Sequence, residues 1–133
     1  MRVLVCGGRD YDDKRHVWDT LDRIAEVSAE QPLGKRPFVI VHGACRSGVD
    51  ELADAWAVSN YILIDEFPAD WTSHGRAAGP IRNQRMLDEG RPDIVVAFPG
   101  GRGTADMVSR AEKVGIKILR INRPLPEDID HDE

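Results

Sequence analysis

Cysteine, basic charge and long apolar runs are all in short supply in this chain, and each shortage excludes a class of protein. Only Cys6 and Cys45 occur, without the paired spacing of a zinc site or the density of a disulfide scaffold, so a reducing, cytoplasmic setting is expected. Neither is followed six residues later by the arginine of a cysteine phosphatase loop, and both are read as buried strand-end residues rather than nucleophiles. Lys and Arg total 18 against 23 Asp and Glu, a net charge of −5. The basic field that nucleic acids select is missing, and a DNA or RNA partner is not expected. His16, His42, His74 and His131 are scattered without metal-ligand spacing, so neither a metal nor any other cofactor is expected. No apolar stretch reaches bilayer length, and the opening run in "MRVLVCGGRD" is too short for a signal peptide, so no membrane association is expected.

What the chain does have is a regular alternation of short apolar runs with longer segments of helical period. Its 133 residues, 41% apolar, suffice for one core. We read a single domain over 1–123, with a loop at "PLGKRP" (32–37) and an acidic tail over 124–133 that is expected to be mobile. "RVLVC" (2–6), "FVIVH" (38–42), "YILIDEF" (61–67), "DIVVAF" (93–98) and "KILRI" (117–121) are continuous and rich in Val and Ile, as strands are when covered on both faces. Helical spacing links Val17, Leu21, Ile24 and Val27, then Val49, Leu52, Ala53 and Trp56, with further helices at "GPIRNQRMLDEG" and "TADMVSRAEKVG". The pattern predicts an α/β, Rossmann-like three-layer domain with a five-stranded parallel sheet, the first and fourth strands adjacent.

In such sheets ligands bind beyond the carboxyl ends of the strands. The loops there are "GGRDYDD", "GACRSG", "PADWTSHGRAAGP" and "PGGRG", and glycine, arginine and small polar residues gather in all four. In "PGGRGT", Gly100, Gly101 and Gly103 allow close backbone approach to an anion, and Thr104 is placed either to cap the following helix or to meet a phosphate oxygen. A plain packing turn explains the same glycines less well, given the other three loops. Familiar motifs fail on inspection. Gly43 and Gly48 match the glycines of a P-loop, but Val49 and Asp50 stand where Lys and Ser or Thr belong. "GRGTAD" has Asp106 in place of the third glycine of the dinucleotide pattern.

Taken together, "CGGRDY", "HGACRSGVDELADAWA", "PADWTSHGRAAGPIRNQRML" and "FPGGRGTADM" closely resemble the YspA-like, YpsA-related branch of the SLOG superfamily, relatives of the LOG phosphoribohydrolases and of DprA. The likeness runs to about Arg123. It implies a nucleotide or nucleotide-derived ligand, ADP-ribose-like or a nucleoside monophosphate, and by analogy with LOG relatives a homodimer, for which the helices carrying Trp18 and Trp56 offer apolar surface. It places Arg82 at the arginine and Asn83 at the lysine of the LOG "R-K-x-x-M" helix, but Met107 where the LOG motif has its catalytic glutamate. The expected role is therefore binding with little or no catalysis. The alternative is N-glycoside hydrolysis by a relocated carboxylate, with Asp106, Asp50 and Asp10 the candidates. DprA-like binding of single-stranded DNA is disfavoured by the acidic charge. The first-loop residues Gly7, Gly8, Arg9, Asp10 and Tyr11 complete the expected ligand site with Gly43, Gly48 and Asp50. Asp10 is equally read as a turn residue and Asp50 as a helix cap, while Trp71 either stacks on a base or plugs its loop onto the core.

Overall fold

The structure is a computed structural model that describes residues 1–30 and 36–121. Strands β1 (Arg2–Cys6), β2 (Val39–His42), β3 (Leu63–Glu66), β4 (Ile94–Ala97) and β5 (Lys117–Arg120) form one sheet in the order β3-β2-β1-β4-β5, and every pairing is parallel. Helices α1 (Lys14–Ala29), α2 (Gly48–Ser59), α3 (Trp71–His74), α4 (Ala78–Asp88) and α5 (Arg102–Lys113) connect them, with a 3₁₀ turn at Gly75–Ala77.

Because side chains alternate along a strand, β1 sends Val3 and Val5 to one face and Leu4 and Cys6 to the other. Val3 and Val5 pack with Val17 and Leu21 of α1 and Val49 and Trp56 of α2. Leu4 and Cys6 pack with Met86 and Leu87 of α4 and Met107 and Ala111 of α5. Two buried faces make three layers, which is why the central strands read as continuous apolar runs. The chain winds outward from β1 through β2 to β3, then returns to place β4 on β1's other side. The switch in direction therefore lies between β1 and β4, with the loops after Cys6 and Ala97 side by side.

Two sequence expectations need correction. The outer strands are not covered on both faces: Leu63 of β3 is 60% exposed and Leu119 of β5 is 37% exposed. The long third loop is partly helical, because the Asp70 carboxylate accepts a hydrogen bond from Ser73 N at 3.0 Å and starts the turn of α3. The two tryptophans join the helices that carry them. Trp56 is 2% exposed and donates from Nε1 to Asp22, while half-buried Trp18 donates to the Leu52 carbonyl, so both knit α1 to α2. Most of the loop read at 32–37 and the whole tail read at 124–133 lie outside the described residues.

Candidate functional site

The loops beyond β1, β2 and β4 are tied together by their backbones. Gly8 N donates to the Pro99 carbonyl at 2.8 Å, and Val49 N donates to the Gly8 carbonyl at 3.2 Å. Glycine is required for this closeness. Gly48 has φ +72, and a Cβ on it would lie 2.6 Å from Arg9 Cα; one on Gly100 would lie 2.7 Å from Gly8 N; one on Gly7 would overlap the Val49 side chain. Gly7, Gly48 and Gly100 therefore serve packing, and the Gly8 amide is already used. Only Gly101 and Gly103 of the PGGRG loop have open space where a Cβ would stand.

Those two glycines flank the start of α5. Gly101 is its N-cap residue, no side chain caps the end, and the first hydrogen bond of the helix runs from Ala105 N to the Gly101 carbonyl. The amides of Arg102, Gly103 and Thr104 thus project from the positive end of a twelve-residue helix. Of the two roles considered for Thr104, capping is not adopted; its hydroxyl lies against Gly100 and borders a cavity of about 690 Å³.

Arg82 of α4 faces the same cavity and is only 8% exposed. Nη1 donates to the Gly43 carbonyl and Nε donates to Asn83 Oδ1 at 3.0 Å. Gly43 is glycine because the guanidinium lies on it: a Cβ there would come within 2.8 Å of Arg82 Cζ. Among the described residues no carboxylate pairs with Arg82. Asn83 braces this arrangement, its amide donating to the Gly103 carbonyl at 3.1 Å and to Asp106 Oδ2 at 3.0 Å. Asp106 also accepts from Arg110 Nε at 2.8 Å. Burial pushes the Asp106 carboxyl up, but hydrogen bonds from Arg110 and Asn83 outweigh it and hold the group below its ordinary value. Asp106 is thereby kept as an anion that ties α4 to α5.

The other candidate carboxylates stand differently. Asp50 is 8% exposed and accepts from Cys45 N at 3.2 Å; it is not the cap of α2, a position held by Ser47. Asp10 is exposed at the cavity mouth beside Gly8. Burial, reinforced by the Asp50 charge, pushes the Cys6 thiol up to about 12 and also raises Cys45, so both stay protonated at neutral pH. Trp71 is not a plug: it is 48% exposed, borders the cavity, and carries the Arg9 guanidinium 5.3 Å from its ring centre. Tyr11 is displaced from the expected site. Its hydroxyl pairs with His16 Nδ1 at 2.9 Å and its ring packs on Phe98, outside both cavities described here. Met107 is fully buried in the core between α5 and the sheet and borders neither cavity.

A second cavity, about 880 Å³, adjoins the first and shares Arg9, Gly43, Cys45, Trp71 and Arg82 with it. Its far wall holds His42, Glu51, Asp54 and Glu66, none of which sequence reasoning selected as site residues. The available signal was strand register: His42 and Glu66 end neighbouring strands and pair directly. His42, Asp54 and Glu66 bring their potential ligand atoms within 4.8 Å of one another, against the expectation that no metal-binding set exists. The hydrogen bonds oppose a metal there. Ala44 N donates to His42 Nδ1 at 2.9 Å, so the ring proton sits on Nε2 and faces Asp54 Oδ1 at 2.8 Å. A metal-bound histidine instead needs its second nitrogen to donate.

A five-stranded, all-parallel α/β sheet covered on both faces of its central strands defines a Rossmann-like domain. The profile of the YspA, cpYpsA-related SLOG family matches residues 1–74, and the chain belongs to that family. It is 38% identical over 125 residues to the Gene 61 protein of Mycobacterium phage D29, covering 89% of this chain and 94% of that protein. Membership points to a nucleotide-related function. The matched profile spans the loops after β1 and β2, whereas Arg82 and the start of α5 lie beyond it.

Proposed function

We propose that this protein binds a nucleotide or nucleotide-derived ligand by its phosphate, held between the amide end of α5 and the Arg82 guanidinium, with little or no N-glycoside hydrolysis. The observation that carries the reading is Arg82, a permanently charged group more than nine-tenths buried that makes no ion pair among the described residues. Buried charge without a counter-ion is costly, and a phosphate matches a guanidinium both in charge and in geometry. The uncapped end of α5 favours the same anion.

Support for weak catalysis comes from the acids. Met107 offers none, and Asp106 Oδ2 is taken up by Asn83 and Arg110, so its charge is already met rather than free to steady a ribosyl cation.

Calorimetry with AMP tests the reading. Arg82→Ala removes a charge-assisted bond of about 1.5–3 kcal/mol, and AMP affinity is expected to fall roughly ten- to a hundredfold. Unchanged affinity takes Arg82 out of the site. Release of free adenine by the natural protein at about 1 s⁻¹ or faster overturns the non-catalytic part and directs attention to Asp10 and Asp50.

A further inference from the structure

We propose that His42 is a positioning residue for Arg82: its neutral ring sets the loop that meets the guanidinium, and protonation of that ring in mild acid releases the loop and weakens ligand binding. This rests on the phosphate reading of Arg82. The ring is 2% exposed and hangs from a fixed point, since the His42 carbonyl at the end of β2 accepts from Phe67 N at 2.9 Å. On one side Ala44 N donates to Nδ1 at 2.9 Å, and on the other Nε2 meets Asp54 Oδ1 at 2.8 Å. A backbone amide only donates, so Nδ1 carries a lone pair and the ring is neutral.

Ala44 has φ 60, in the left-handed region that a Cβ disfavours. The bond to Nδ1 offsets that cost, and it bends the chain so that Gly43, between the two residues, turns its carbonyl to Arg82 Nη1. A proton on Nδ1 would point at the Ala44 N–H. The bond is then lost, Ala44 relaxes toward ordinary backbone, and the Gly43 carbonyl leaves the guanidinium. The surroundings admit a charged ring. Asp54 of α2 bonds it, and Glu66 of β3 brings a carboxylate oxygen within 4.8 Å of a ring nitrogen. Glu51 of α2 lines the same cavity with Arg9, Arg46 and Arg82, and Asp50 holds the next residue of the loop by accepting from Cys45 N. Carboxylates on the Nε2 side favour the imidazolium while the amide at Nδ1 opposes it, so the charged ring and the observed loop exclude each other.

Calorimetry with AMP at about pH 7.5 and about pH 5.5, a range in which imidazole changes charge, compares the natural chain with His42→Asn. The asparagine oxygen stands near the Nδ1 position, where it accepts from Ala44 N but takes up no proton. The phosphate of AMP and the exposed His74 titrate alike in both proteins, so the comparison cancels them. On acidification the natural chain is expected to lose roughly five- to tenfold more affinity than His42→Asn, and His42→Leu, without an acceptor, to bind about fivefold more weakly than His42→Asn at the higher pH. Equal acid losses in the natural chain and His42→Asn overturn the proposal, as does an affinity that rises in acid. Nuclear magnetic resonance of the natural protein without ligand needs no variant. Nδ1 is expected to be unprotonated at about pH 7.5, and the Ala44 amide signal to shift with the same midpoint as the ring; an amide that stays put while the ring titrates overturns the proposal. Failure of AMP to bind at either pH overturns the phosphate reading, and the role of His42 in binding falls with it.

Discussion

Arg82 and Met107 sit on facing helices, α4 and α5, and their burial has opposite meanings. Arg82 is 8% exposed, yet it borders both cavities, and beyond its bonds to Gly43 and Asn83 its Nη2 has no partner among the described residues. Met107 is sealed between Leu4, Val95 and Met86 in a wholly apolar cluster. Restoring the LOG pattern by Met107→Glu therefore does not restore an acid to the cavity. It places a carboxylate where no donor waits, and the expected outcome is destabilisation of at least about 3 kcal/mol. Met107→Leu, which keeps volume and polarity, is expected to cost under about 1.5 kcal/mol. Urea denaturation distinguishes them, and a Glu variant as stable as the natural chain would show that the side chain escapes to the cavity.

Between elements, two joints decide the geometry of the mouth. The first is the start of α2, where Gly48 at φ +72 presses against the loop after β1. Gly48→Ala forces a side chain into the left-handed region and against Gly8 and Arg9, so a loss of at least about 1–2 kcal/mol is expected in thermal unfolding. A neutral result would mean that the two loops separate freely. The second joint is Asp106, which links α4 to α5 through Asn83 and Arg110. Because its folded pKa lies below the ordinary 3.8, the carboxylate's stabilising contribution is complete above 3.8 and is lost as pH falls through the lower folded value. Asp106→Ala is expected to cost about 1–2 kcal/mol at neutral pH, and the gap to the natural protein should narrow only in strong acid. A gap that closes already near neutrality would contradict the assignment.

At the scale of the whole molecule, the return of the chain from β3 to β4 makes β1 and β4 neighbours and sets two glycine loops side by side. Buried Trp56 is not open to a second copy of the chain and half-buried Trp18 is bonded to Leu52, whereas the most exposed large apolar side chains, Val58, Tyr61 and Leu63 at 62%, 96% and 60%, gather beside β3. If the family analogy to a homodimer holds there, sedimentation gives twice 14.8 kDa and Leu63→Lys returns it to 14.8 kDa. A natural chain that sediments only at 14.8 kDa sinks the pairing. The sequence by itself determined the number of strands, their parallel order of winding and the four loops at their carboxyl ends, because Val- and Ile-rich runs and helical periods are local properties of a chain. It also singled out Arg82, Gly101 and Gly103. It did not separate the glycines that pack from those that face open space, since that depends on which backbone lies opposite: Gly43 against Arg82, Gly48 against Gly8 and Arg9. Nor did it place Met107 in the core while Asp106, one residue earlier, borders the cavity, or gather His42, Asp54 and Glu66 from three elements into one wall. Those outcomes belong to helix rotation and strand register, which only the packed tertiary structure decides.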